Sequence, residues 1–173
     1  MNIMLIGGGG REHAILRSLK KNPAVETVWM LPGNGGMADE AGFTVIRKVL
    51  YGYAGKETDL ALPAGITELS PALFARNSEL ISVTIPEGVK KIAFNAFAYC
   101  GKLETVTFPE GLEEIGEGAF SNCESLKKIH LPDSTRIIES DAFNRCAMLE
   151  EVRLPAQLEV IQPRTAESVG LSQ

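Results

Sequence analysis

The chain has few aromatic residues, two histidines, three cysteines and no long apolar run. Its apolar stretches stop far short of the roughly 20 residues a bilayer-crossing helix needs, so no such helix is expected. The opening MNIMLIGGGG has no basic leader. Its apolar run, Ile3 to Ile6, is too short for the core of a secretion signal, so the chain as given is expected in the cytoplasm. Positive charge is also in deficit, with 17 Lys and Arg against 22 Asp and Glu. Residues 1–46 are balanced at four basic and four acidic side chains, so the whole deficit lies in residues 47–173. An acidic body repels phosphate backbones, so no nucleic-acid partner is expected, and no membrane partner either.

The cysteines are too few for a disulfide framework, which favours an even number at varied spacings. Cys100, Cys123 and Cys146 lie 23 residues apart, in a column that begins with Asn77. Stacked coils about 4.8 Å apart would make these thiols neighbours with parallel Cβ vectors, an arrangement that disfavours bridging. A zinc site needs a fourth ligand and converging geometry, so buried structural thiols are expected and no metal. His13 has no cysteine or carboxylate cluster around it, and a structural role is expected for it.

What the chain does have is a period. Proline recurs at Pro63, Pro86, Pro109, Pro132 and Pro155, and phenylalanine at Phe74, Phe97, Phe120 and Phe143, each step being 23 residues. A fixed period in the twenties marks a solenoid, in which each repeat is one coil stacked on the next. The other apolar columns keep the step. Ile66, Val89, Leu112 and Leu158 form one, broken by Thr135, and Leu69, Ile92, Ile115, Ile138 and Ile161 form another. Leu80, Leu103, Leu126 and Leu149 precede Val83, Val106, Ile129 and Val152, and Ile85, Phe108, Leu131 and Leu154 close the repeat. The V-x-I pair alternates with period two, as in a short strand buried on one face. Proline ends that strand because it cannot donate to the ladder. AFAYC, AFSNC and AFNRC are expected to turn Phe inward on a short helical turn, with the Asn/Cys column covering loop amides. One coil cannot bury enough to fold alone, so at least three must stack.

LETVTFPEGLEEIGEGAFSNCESL and its copies resemble the leucine-rich repeats of the BspA-like type, and YGYAGKETDLALPAGITEL resembles that family's entry segment. The likeness covers about residues 49–161. It implies a non-catalytic recognition surface for a protein partner, in a family whose habit is the cell surface. Outward strand positions form two ladders, Ala61, Thr84, Thr107, His130, Arg153 and Asp59, Ser82, Thr105, Lys128, Glu151. Lys128, His130 and Arg153 make a small basic spot on an acidic body, and Arg is a favoured interface anchor. These three are the expected partner-binding residues.

Residues 1–46 follow a different pattern. Asn2–Ile6 and Glu26–Leu31 read as strands flanking a helix over Arg11–Lys21, with Pro23 beyond its end and a third strand over Phe43–Ile46. Parallel strands around a helix make a β-α-β unit, the start of a doubly wound sheet. The run Gly7–Gly10 between strand and helix suits an anion cradle of backbone N–H groups. It fails the GxGxxG fingerprint at Glu12 and His13, and no P-loop Gly-Lys-Ser/Thr follows. The alternative role for these glycines is a tight strand-to-helix turn.

MNIMLIGGGGREHAILRSL followed by PGNGG resembles the start of the phosphoribosylamine–glycine ligase family, purine-biosynthesis enzymes of the ATP-grasp superfamily. The likeness covers about residues 1–42. It implies a ligand loop containing Gly9, Gly10, Arg11, Glu12 and His13, with Gly33 and Asn34. Arg11 would contact phosphate, while Glu12 and His13 would brace the loop. The ATP-grasp part has no counterpart after residue 46, so ligase activity is expected to be absent and no cofactor is expected.

The expected fold is therefore α/β: a leucine-rich-repeat solenoid with a short-stranded parallel sheet, preceded by a small β-α-β segment. The expected divisions are residues 1–46, 47–161 and a tail, 162–173, where Thr165, Ala166 and Val169 break the register. Tyr51 and Tyr53 in the junction are expected to cover the open end of the first coil. A protein partner of the solenoid is the first functional expectation. A phosphorylated small molecule held by the glycine-rich loop is the second.

Overall fold

The structure is a computed structural model and describes residues 2–6, 21, 27–31, 42–162 and 164. The chain divides into two compact units, Met1–Gly55 and Lys56–Gln173. In the first, β1 (Asn2–Ile6) pairs in parallel with β2 (Thr27–Leu31), Asn2 opposite Thr27 and Ile6 opposite Leu31. The parallel pairing is as expected. The helix expected between them falls outside the described residues, apart from Lys21, so the β-α-β unit is not established.

β3 (Phe43–Ile46) and β4 (Val49–Tyr53) form an antiparallel hairpin, which the repeat pattern did not announce. Its two-residue loop, Arg47 and Lys48, has φ of 50° and 67°. Two positive φ values are the mark of a type I′ turn, whose twist matches the flanking strands. The Phe43 and Tyr53 rings meet across the hairpin at 5.0 Å, so Tyr53 packs on the strand opposite its own. Tyr51 is exposed.

The second unit is a three-sided solenoid. Its first side is a parallel sheet of β5 (Asp59–Ala61), β7 (Ser82–Thr84), β9 (Thr105–Thr107), β11 (Lys128–His130) and β13 (Glu151–Arg153). Register is set by the period, with Leu60 opposite Val83 and Val83 opposite Val106. The middle residue of each strand points inward and its neighbours outward. The ladder runs one residue past the strand, as in Leu62 N–H to Thr84 O and Ile85 N–H to Thr107 O, and stops at the proline.

The second side is built from two-residue strands. They are β6 (Glu68–Leu69), β8 (Lys91–Ile92), β10 (Glu114–Ile115), β12 (Ile137–Ile138) and β14 (Val160–Ile161), of which β8 to β14 pair in parallel. Their second residue is the buried one through Ile138.

The third side corrects the sequence-based expectation. No residue among those described is helical, so the α/β class does not hold for this unit. The Phe-bearing segments are turns laid out as a ladder. Phe74, Phe97 and Phe120 donate their N–H groups to Ala96, Ala119 and Ala142, and alternate neighbours do the same. Two residues per coil take left-handed φ to make this possible. One file is Ala72, Asn95, Gly118, Asp141 and Arg164, with φ of 51° to 64° across both files, and the other is Arg76, Tyr99, Asn122 and Arg145. A left-handed residue other than glycine costs about 1–2 kcal/mol. The inter-coil bonds that each turn gains offset that cost.

The core fills the space between the three sides. Phe97, Phe120 and Phe143 are wholly buried, and Phe74 nearly so. Successive rings stack with planes within 6° and centroids 5.1, 5.3 and 5.6 Å apart. Those separations exceed ring contact distance, so the rings are offset, the favoured arrangement for parallel aromatics. Phe108 meets Phe120 edge-on at 5.8 Å. Among the described residues Thr135 is the one buried polar residue, and its hydroxyl donates to Leu112 O at 3.2 Å.

The Asn/Cys column lies inside the coil but divides its labour. Asn77 Oδ1 accepts from the N–H groups of Glu79 and Leu80, at 2.9 and 3.0 Å, as expected of a residue covering loop amides. The cysteines do the opposite. Their thiols donate to the phenylalanine carbonyls of the preceding coil, Cys100 to Phe74, Cys123 to Phe97 and Cys146 to Phe120, at 3.1 to 3.3 Å. All three are free thiols. Burial, which penalises the thiolate, pushes Cys100 to about 11 and Cys146 to about 12, and raises Cys123 as well. Such thiols are structural and unreactive.

Candidate functional site

The outward face of the five-stranded sheet carries the residues the sequence pointed to. Register places Lys128 opposite Glu151 and His130 opposite Arg153, so the expected basic trio does share one patch. Glu151 stands among them. Lys128 Nζ lies 2.9 Å from Glu151 Oε2, and His130 Nε2 lies 2.8 Å from Oε1. The hydrogen bond from Lys128, then that from His130, holds the Glu151 carboxyl below the usual carboxylate range, and the same contact raises Lys128. All three side chains are half exposed, so solvent screens these pairs and they add little to stability. Lys128 and His130 are thus already engaged.

Arg153 makes no ion pair among the described residues. It borders a notch of about 170 Å³ whose other walls are Phe108, His130, Leu131 and Pro132, with Glu110 and Asp133. Periodicity names His130 and Arg153, because they sit in one outward column. It does not name Phe108 or Pro132 as notch residues, since both belong to columns that read as core and strand end. The signal for Glu151 was present, in the column that pairs it with Lys128. At the other end of the sheet Asp59 is bridged by the Ser82 hydroxyl at 2.6 Å and the Thr58 hydroxyl at 3.0 Å, in that order of effect lowering its pKa.

The other sides are laced by pairs one period apart. Lys90 meets Glu113, Arg136 meets Glu159 and Lys127 meets Glu104, each at 2.6 Å, and Lys91 meets Glu114. These exposed ladders neutralise the surface locally. Gly9, Gly10, Arg11, Glu12, His13, Gly33 and Asn34, expected to form the ligand loop, lie outside the described residues. No described helix is long and apolar enough to cross a membrane. No group of three or more metal-ligating side chains occurs among the described residues.

Coils of 23 residues, a parallel sheet of three-residue strands and a stacked phenylalanine file define a leucine-rich-repeat solenoid. The BspA type leucine rich repeat profile matches six copies over residues 44–170, and the chain belongs to that family. A second profile, the N domain of phosphoribosylglycinamide synthetase, matches residues 1–73. The phosphoribosylamine–glycine ligase of Allochromatium vinosum is 50% identical over 42 residues, 24% of this chain and 10% of the ligase. The chain thus spans about a tenth of the length of the curated relatives it matches. Among solved structures, a leucine rich cell surface protein from Faecalibacterium prausnitzii superposes with a TM-score of 0.67 at 23% identity. That match covers 84% of this chain and 43% of that one. A leucine-rich repeat protein from Bacteroides capillosus gives 0.56 at 26% identity, covering 67% of this chain and 96% of that one.

Proposed function

We propose that the solenoid is a non-catalytic binding module that recognises a protein partner through the outward face of β5 to β13, anchored at Arg153. One observation carries this reading: within the basic patch, Lys128 and His130 are held by Glu151, while the Arg153 guanidinium is uncommitted beside a notch. Arginine presents a fixed fork to a carboxylate and is enriched where interfaces concentrate their energy. The partner is expected to offer an acidic side chain or a chain terminus there. Affinity capture on the immobilised full chain, followed by mass spectrometry, identifies it. Arg153→Glu is expected to release that partner, and Lys90→Glu on the second side to leave it bound. Capture unaffected by Arg153→Glu overturns the reading.

The likeness of residues 1–42 to the ligases favours a second reading for that segment alone. The loop containing Gly9, Gly10, Arg11, Glu12 and His13, with Gly33 and Asn34, would hold a phosphorylated small molecule, with Arg11 on the phosphate. It is proposed without ligase activity. Titration calorimetry with ATP, glycine and a ribose phosphate tests it, and heat no greater than dilution for all three overturns it.

A further inference from the structure

The third side of the solenoid, away from the face of the five-stranded sheet, carries a second cavity. It measures about 350 Å³ and is lined by members of both left-handed files, within the size range of small-ligand sites. Two of the large apolar residues left exposed on the solenoid stand at it, Phe94 at 48% and Tyr99 at 54% exposure. The Arg76 guanidinium lies over one face of Tyr99, 5.4 Å from the ring centroid, and orients it. Tyr99 holds φ of 61°, a conformation a bulky residue keeps only where its surroundings impose it.

The rest of the lining is polar and planar. Asn95, Asn122 and Asn144 contribute amides, and Glu117 and Asp141 carboxylates. Gly118 separates Asn95 from Asp141 in their file. A Cβ there would sit 2.2 Å from Asn95 Oδ1, so the missing side chain is what leaves room for that carbonyl. Asp141 Oδ2 faces Arg164 at 3.4 Å, while its Oδ1 is buried with no hydrogen-bond partner. A buried acceptor without a partner is costly, and Asp141 is part of the cavity's lining.

We propose that this cavity binds an uncharged saccharide. Sugar hydroxyls each donate and accept, and adjacent pairs match the two-atom edge of an amide or carboxylate. The C–H faces of the ring are apolar and lie flat on exposed aromatics, where Phe94 and Tyr99 wait. The alternatives fit less well. Glu117 and Asp141 oppose a phosphate, with Arg145 the one cation lining the cavity, and the described residues lack the acid cluster a metal ion needs. The polar lining disfavours a wholly apolar ligand.

Saturation-transfer NMR on the full chain tests this. The probes are glucose, galactose, mannose, N-acetylglucosamine and their disaccharides, with inorganic phosphate and calcium chloride titrated separately. At least one neutral sugar is expected to receive saturation on its ring protons. Tyr99→Ala and Asp141→Asn are each expected to weaken it at least about tenfold, the loss of one well-made contact. Asp141→Asn keeps the side-chain shape, so it reads the site even if Tyr99→Ala disturbs the turn. Lys90→Ala is expected to change nothing. The proposal is overturned if no neutral sugar is bound, if phosphate or calcium binds instead, or if both variants bind as the parent does.

Discussion

Phe97 and Phe120 form an offset stack in successive coils, their planes within 1° of parallel and their centroids 5.3 Å apart. Each also donates its N–H to the carbonyl of the alanine that precedes the phenylalanine of the next coil, Phe97 to Ala119 and Phe120 to Ala142, at 2.8 Å. The ring and the backbone of one residue thus hold the same neighbouring coil, in addition to the bonds each turn makes within itself, such as Ala98 N–H to Asn95 O at 3.1 Å.

Phe120 touches rings on three sides, Phe97, Phe143 and Phe108. Phe120→Ala is expected to cost about 3–5 kcal/mol of unfolding free energy, since no neighbour can collapse into the gap. Urea denaturation followed by circular dichroism measures it. A loss below about 1 kcal/mol would contradict a continuous phenylalanine core.

The thiols give a pH-dependent test. Their ordinary value is 9.0, and burial raises Cys100 to about 11 and Cys146 to about 12. The folded state therefore holds these protons more tightly than the unfolded chain. Stability from this source is full below pH 9 and falls as pH rises toward 11. The thiols should ignore a disulfide reagent at neutral pH until denaturant is added. Fast labelling of the native protein would show that the column is open.

The left-handed file inverts the usual rule for glycine. Ala72 has φ of 54°, so Ala72→Gly is expected to stabilise by about 0.5–1 kcal/mol, relief of the left-handed cost exceeding the added unfolded-state entropy. Gly118→Ala should destabilise by more than about 1 kcal/mol, because it meets both the left-handed cost and the Asn95 oxygen. Thermal melts of the two variants shifting in the same direction would refute this account of the turn.

Thr135 interrupts an apolar column, yet its replacement is expected to be mild. Leu112 O accepts from Thr135 at 3.2 Å and from the Ser134 hydroxyl at 2.6 Å. Thr135→Val leaves that carbonyl satisfied and removes a buried hydroxyl, so the change should lie within about 1 kcal/mol of neutral. A loss above about 2 kcal/mol would mean that the Thr135 bond is the one that matters.

Periodicity made most of the solenoid legible. The proline column marks where each strand stops, the V-x-I pair names the inward and outward residues, and the shared step sets register, placing His130 beside Arg153. The same arithmetic could not reveal the hairpin of Phe43–Ile46 and Val49–Tyr53, which occurs once. It also misjudged the Phe-bearing segments. Their short apolar pattern suits a helical turn equally well, and the choice is made by carbonyls of the next coil. A signal was there in Asn95, Gly118 and Asp141, residue types that tolerate left-handed φ.

The amino-acid sequence by itself determined that identical coils stack and which side chains they bury, because a fixed step repeats the same contacts at every level. Only the tertiary structure decided how charge is shared on the surface and where an acceptor goes unpaired. Glu151 takes up Lys128 and His130 and leaves Arg153 uncommitted, and Gly118 leaves room for the Asn95 carbonyl. Those outcomes depend on distances between neighbouring coils, and a column of letters carries the order of its residues but not the competition among them.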